Sequence, residues 1–531
     1  MKHRLAVERR FEMTTASILT GILVCLFFAL MIGVGFYCRK HSTNVDSFVL
    51  GGRSVGPWLT AFAFGTSYFS AVIFVGYAGQ FGWNFGLAST WIGLGNAFIG
   101  SLLAWQILGR RTRVMTQSLD SKTMPDFFEK RYMSSGLKIA ASIIIFVFLI
   151  PYTASLYNGL SSLFNIAFEV PYWVCILVMA VLTGVYVVFG GYMATAINDF
   201  VQGIIMLFGI VAVIFAVLNK NGGLMQSIEK IATNEGYEYT SIFGPNPFFL
   251  LVVVLLTSLG TWGLPQMIGK FYAISNESAI RKGTFISTVF AVVVAGGCYF
   301  LGGFGRLFVS PEQVAQKGFD SIVPTVLSGL SPIIIAVVIV LVLAASMSTL
   351  SSLVLTSAST LTLDVVAPAF KDKMSEKKKI LIMRLFIVFF ILLSAVIAIL
   401  KDTVWKDFVF IAQMMGVSWG ALAGSFLAPF MYGLYWKKTT KAAVWTSFAV
   451  GVGVMTTQLI ISLAKPTLSG VFALVFQNSL YSGVCTMILG LIIVPVVSLL
   501  TQKTKPQNAD EVFECYNKKV TVNAADAITD K

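Results

Sequence analysis

Ala345, Ser348, Thr349 and Ser352 are spaced i, i+3, i+4, i+7, the spacing of one helical face. They stand in the string Ala344-Ala345-Ser346-Met347-Ser348-Thr349-Leu350-Ser351-Ser352, deep in an apolar segment. The face offers three hydroxyl oxygens and side chains small enough to admit a second backbone. Hard cations are held by several oxygens at short range. A small-residue stripe for packing helices in a bilayer has the same spacing, so the string alone leaves both roles open.

A second polar cluster, Gly65-Thr66-Ser67-Tyr68-Phe69-Ser70, lies mid-way along another apolar segment that continues through Gly76, Gly79, Gly82 and Gly86. Irregular backbone at bilayer depth is tolerated only where it lines a cavity. A helix broken here would turn freed carbonyls towards a cation. An unbroken helix whose Ser and Thr bond back to their own backbone fits the same residues. The third feature is Asp199, in Ala196-Ile197-Asn198-Asp199-Phe200-Val201-Gln202. A buried acid in a membrane is expensive. With no Lys or Arg on its own segment, a bound cation is the expected partner. An acid favoured by the macrodipole at a helix start near the cytoplasmic face is the other account, and Gly190-Gly191 leaves that start open.

These residues need a scaffold, and the composition says which. Of 531 residues 56% are apolar and 12% charged, against about 25% charged in an average soluble domain. The mean hydropathy is +0.82. A soluble enzyme, a disordered chain and a disulfide scaffold are excluded, and an all-α polytopic membrane protein is expected. Thirteen segments are long enough to span, near 15–38, 57–81, 86–108, 138–163, 171–189, 193–218, 247–270, 283–308, 332–364, 380–400, 407–436, 441–463 and 474–500. The first ends in Arg39-Lys40-His41 and exceeds a signal-peptide core, so it reads as a retained span.

The charge of +14 is read as membrane topology and not as nucleic-acid binding. With the N-terminus outside and the C-terminus inside, 27 of the 38 Lys and Arg fall in inner segments, Lys270 among them. The stub MKHRLAVERR, within residues 1–14, runs against this count. Residues 15–500 form one membrane domain and 501–531 a loose, polar cytoplasmic tail. The 125–132 segment reads as a short interfacial helix on the inner side. The six cysteines are scattered and read as packing residues.

Taken together these strings resemble the sodium/solute symporter family, most broadly its sodium/proline branch. The match rests on Ala345–Ser352, Gly190-Gly191-Tyr192 with Asp199 and Gln202, the 125–132 loop, Gly263-Leu264-Pro265-Gln266 with Lys270-Phe271, and Tyr435-Trp436-Lys437-Lys438. The resemblance implies a LeuT-like core over about 57–436: two five-helix halves of opposite topology, spans two to six and seven to eleven, with solute between their broken first helices. It implies Na+ as coupling ion, held by backbone oxygens of Thr66, Phe69 and Ala345 and the hydroxyls of Ser348 and Thr349. A second sodium, present in some members, would fall to Asp199, Ser351 and Ser352. Tyr68 and Thr257 depart from the sodium/proline pattern, which carries an aspartate and a tryptophan there. Candidate solute contacts are Ser67, Tyr68, Ser70, Thr261, Trp262, Gln266 and Gln413, rings suiting an apolar body and hydroxyls or amides a polar head.

The expected function is therefore sodium-driven import of a small polar organic solute: an amino acid such as proline, sialic acid, a sugar or a carboxylate. The expected setting is the plasma membrane, as a monomer in lipid. A solute sensor or a channel on the same scaffold is the alternative. Intramembrane catalysis lacks its parts, because the only histidines, His3 and His41, lie outside the spans.

Overall fold

The computed structural model describes residues 2–41, 43–168, 171–370, 374–403 and 411–517. Lys371 and Lys373 of the inner count, the start of the eleventh span and the tail beyond 517 lie outside the described residues, as does the side chain of His3. Among the described residues ten helices are long and apolar enough to cross a membrane, and one bent pair makes an eleventh.

Two of the ten are too long for one crossing. Val72–Ser118 has 47 residues and Tyr172–Lys220 has 49, about 70 Å each against a hydrocarbon core of about 30 Å. Each is interrupted by a glycine in a conformation closed to other residues: Gly86 at φ 60°, ψ −138°, and Gly191 at φ 59°, ψ −151°. A Cβ on Gly191 would stand 2.8 Å from the Phe48 carbonyl oxygen. These are the points where the expected second and third, and fifth and sixth, spans meet.

Two further interruptions fall inside spans. The helix Pro57–Tyr68 ends at Phe69, extended at φ −87°, ψ 120°, before helix resumes at Val72. Pro247–Gly263 and Pro265–Ala273 meet at 48°. Between them Leu264 sits at φ −85°, ψ 120°, the region into which a following proline pushes its predecessor. The first helix of each expected half thus breaks through one extended residue of nearly the same geometry.

Burial ranks the helices. Gln413–Tyr435 is buried over 94% of its most apolar stretch and Pro332–Ala369 over 72%, whereas Thr20–Cys38 is buried over 22%. The central helices carry the small and hydroxylic residues. The peripheral ones turn large apolar side chains such as Ile18, Leu26 and Leu385 outwards.

Two connecting segments pack against the helix bundle. The helix Met124–Tyr132 is capped by the Thr123 hydroxyl accepting from the Asp126 amide, and most of its residues are buried. Its Phe127 and Phe128 pack on Phe430, Phe426 and Phe448. Arg131, fully buried, donates to the carbonyls of Gly433 and Trp436. The tail is not loose over its first part. Val512, Phe513 and Cys515 are buried, Phe513 lies under Arg131, and Tyr516 lies under Arg111. Aromatic faces there hold the guanidinium groups of Arg111 and Arg131, which the polar look of the tail concealed.

Candidate functional site

The break at Phe69 faces the hydroxyl stripe. The Ser348 hydroxyl lies 3.2 Å from the Thr66 carbonyl oxygen and 3.1 Å from that of Ala345. The Thr349 hydroxyl lies 3.2, 3.3 and 3.2 Å from the carbonyls of Thr66, Phe69 and Ala345. These are the five residues expected to hold sodium, and all are buried. The carbonyls of Thr66 and Phe69 are available because the last turn of a helix has no amide partners of its own, whereas that of Ala345 lies inside the continuous helix Pro332–Thr360. A hard cation with ligands at about 2.4 Å separates neighbouring oxygens by about 3.4 Å at right angles. The observed spacings need to open by a few tenths of an ångström to admit one, and each hydroxyl can turn its proton away. The donor set therefore fits a monovalent hard cation: five neutral oxygens and no carboxylate.

Asp199 has a protein cation beside it. Lys270, counted on sequence grounds among the inner-loop cations, is buried with 3% exposed. Its ammonium lies 3.4 Å from one Asp199 carboxylate oxygen, donates to the Ser352 hydroxyl at 3.0 Å, and stands over the Tyr192 ring. The partner comes from another helix, 71 positions along the chain. Ser352 continues to Ser67 at 2.8 Å. Ser351 turns back to the Ser348 carbonyl. A cavity of about 50 Å³, lined by Gln266, Lys270 and Ser352, leads on to Lys122 and Thr123 in the loop before Met124–Tyr132.

The candidate solute residues separate. Tyr68 is buried, donates to the Thr257 carbonyl at 2.8 Å and lies 5.9 Å, ring to ring, from Trp419. Tyr152 meets Trp419 edge-on at 5.9 Å. Both polar atoms of Gln266 are buried without protein partners, and Ser70 is buried beside the break at Phe69. Ser67 is spent on Ser352. Thr261 donates to Ser258 and Gly100, and Trp262 to Ile99, all carbonyls. Gln413, half-buried, receives Ser479 on its carbonyl. Sequence reasoning passed over Tyr152 and Trp419. The signal for Trp419 was a lone large ring in the small-residue run Gly416-Val417-Ser418-Trp419-Gly420-Ala421.

The fold matches solved transporters. A Na+-coupled sialic acid symporter in its substrate-bound outward-open state superposes with TM-score 0.72 at 16% identity, over 91% of this chain and 97% of that one. Mhp1, a nucleobase-cation-symport-1 family transporter, gives 0.50 at 13% identity over 88% and 98%. The molecule thus has a LeuT-like core. The sodium:solute symporter family model matches residues 48–451. At 30% identity the chain is similar to a sodium/proline symporter of Staphylococcus aureus (strain JH9), over 91% of this chain and 93% of the relative. At 29% it is similar to the osmoregulated proline transporter OpuE of Bacillus subtilis (strain 168), over 90% and 94%. The chain belongs to the sodium:solute symporter family, and Na+ is its coupling ion.

Proposed function

We propose that this protein imports a small solute without net charge, with one apolar face and a polar head, across the plasma membrane. Sodium would bind among Thr66, Phe69, Ala345, Ser348 and Thr349. Solute would bind between the two broken helices against Tyr68, Tyr152 and Trp419, with Ser70 and Gln266 for its head. The observation that carries the solute class is charge: residues 57–85, 139–168, 247–269 and 411–435, which frame the breaks, contain no Asp, Glu, Lys or Arg. An ionic solute would find no uncompensated countercharge there, since the one cation beside Gln266, Lys270, already faces Asp199 at 3.4 Å, and burying an unpaired charge is costly. A zwitterionic amino acid satisfies its own charges in part, and the relatives make proline the first to try.

The energetics suffice. A membrane potential of about 100 mV contributes about 2.3 kcal/mol per sodium, and a tenfold sodium gradient about 1.4 kcal/mol. One sodium can then concentrate a neutral solute several-hundred-fold. Thirteen passes, with the N-terminus outside and the C-terminus in the cytoplasm, complete the reading.

Thermal unfolding of the purified protein with and without Na+, against amino acids, sugars, sialic acid and monocarboxylates, tests the solute class. Stabilisation by a neutral amino acid that requires Na+ is expected. Stabilisation by anionic solutes alone would refute it.

A further inference from the structure

We propose that the Lys270 ammonium is the resident cation of the Asp199–Ser352 cluster, and that it limits this transporter to one sodium per cycle. The inference rests on the sodium site proposed above and deepens it by fixing the ion count. Asp199 is fully buried, and one of its carboxylate oxygens has no hydrogen-bond partner. The other faces Lys270 at 3.4 Å. The same ammonium donates to the Ser352 hydroxyl oxygen at 3.0 Å. The Ser351 hydroxyl is committed to the Ser348 carbonyl at 2.9 Å. The oxygens that would make a second cation site are thus gathered around, or turned away from, a charge that the protein supplies itself.

A tethered ammonium is present at every turn of the cycle and cannot leave down a gradient. It satisfies the acid without contributing driving force. A sodium ion entering beside it would meet a like charge at about 4 Å. At an effective dielectric of about 20, that repulsion weakens binding on the order of a thousandfold. Removing the ammonium and its four-carbon stem leaves the carboxylate, the two serine hydroxyls and space: a site with the oxygens and the charge a hard cation takes.

The geometry also explains why the substituted cation belongs at this point. Ser352 hydrogen-bonds Ser67, the residue after Thr66, and Ser351 bonds the carbonyl of Ser348. The cluster therefore abuts the first sodium site through both broken-span and stripe residues. The lysine braces Pro265–Ala273 against two other helices while the sodium site is filled or emptied.

The test counts 22Na+ bound per purified chain at saturation. One ion is expected in the unmodified protein, one with affinity weakened about 10- to 150-fold in Thr349→Ala, two in Lys270→Ala, and one in Lys270→Ala combined with Asp199→Asn. Asp199→Asn alone should keep one ion, bound more weakly because the Lys270 ammonium beside the site has lost its countercharge. Two ions in the unmodified protein, one ion in folded Lys270→Ala, or loss of an ion in Asp199→Asn would each overturn the inference. No ion in the unmodified protein would instead refute the sodium site on which it rests. Should Lys270→Ala fail to fold, the counts for the unmodified protein and for Asp199→Asn still decide.

Discussion

Thr349→Ala is the sharpest single perturbation of the sodium site. The Thr349 hydroxyl is the most connected oxygen there, within 3.2–3.3 Å of three carbonyls, whereas Ser348 reaches two. A buried interaction with a charged group is worth about 1.5–3 kcal/mol. Sodium affinity should therefore fall about 10- to 150-fold. Ser348→Ala should cost less, because a carbonyl it shares with Thr349 keeps its second neighbour. Thr349→Ser keeps the oxygen and loses a methyl. Packing then suffers by about 1 kcal/mol while sodium affinity stays within about threefold. The assay is the sodium concentration giving half-maximal protection against thermal unfolding, which needs no knowledge of the solute. If the stripe serves only helix packing, Ala and Ser variants would lower the melting temperature yet leave that concentration unchanged. A Thr349→Ala value within twofold of the unmodified protein would refute the assignment.

Trp419→Ala should raise the KM for solute at least tenfold while leaving sodium affinity within twofold, since the ring meets Tyr68 and Tyr152 and no sodium oxygen; equal shifts in both would contradict it. Gly191→Ala forces a side chain into a φ of 59° and towards the Phe48 carbonyl at 2.8 Å. At about 1–2 kcal/mol for the backbone alone, it should lower the melting temperature by at least about 1–2 °C, and an unchanged melting curve would count against the break. For orientation, Thr467→Cys, exposed in the loop before the last span, should react with an impermeant maleimide from outside. Ser375→Cys should react only after permeabilisation, and the reverse pattern would invert the topology.

The legible parts of this molecule were those written locally. The stripe from Ala345 to Ser352 shows itself because helical spacing puts its oxygens on one face. The break after Thr66 shows itself because glycine and hydroxyls are out of place in lipid. The overlong helices are separable because Gly86 and Gly190-Gly191 punctuate them. What stayed hidden depends on which helices meet. Lys270 reads as one more inner-loop cation until the fold brings it to Asp199, 71 positions away. Tyr152 is one ring among many apolar residues until it meets Trp419, and Phe513 looks like tail until Arg131 stacks on it. Ser67 illustrates the converse: its type and place suit a solute contact, and the fold spends it on Ser352.

The central claim is that sodium entering between the second and ninth spans drives an uncharged solute uphill. The direct measurement is accumulation of radiolabelled solute, proline first, in proteoliposomes that carry an inward sodium gradient and an inside-negative potential. The account predicts uptake well above equilibrium. It predicts that accumulation is lost when potassium or choline replaces sodium and reduced when the potential is collapsed, with one sodium entering per solute. Accumulation indifferent to sodium, or uptake that only equilibrates whatever the gradient, would contradict it.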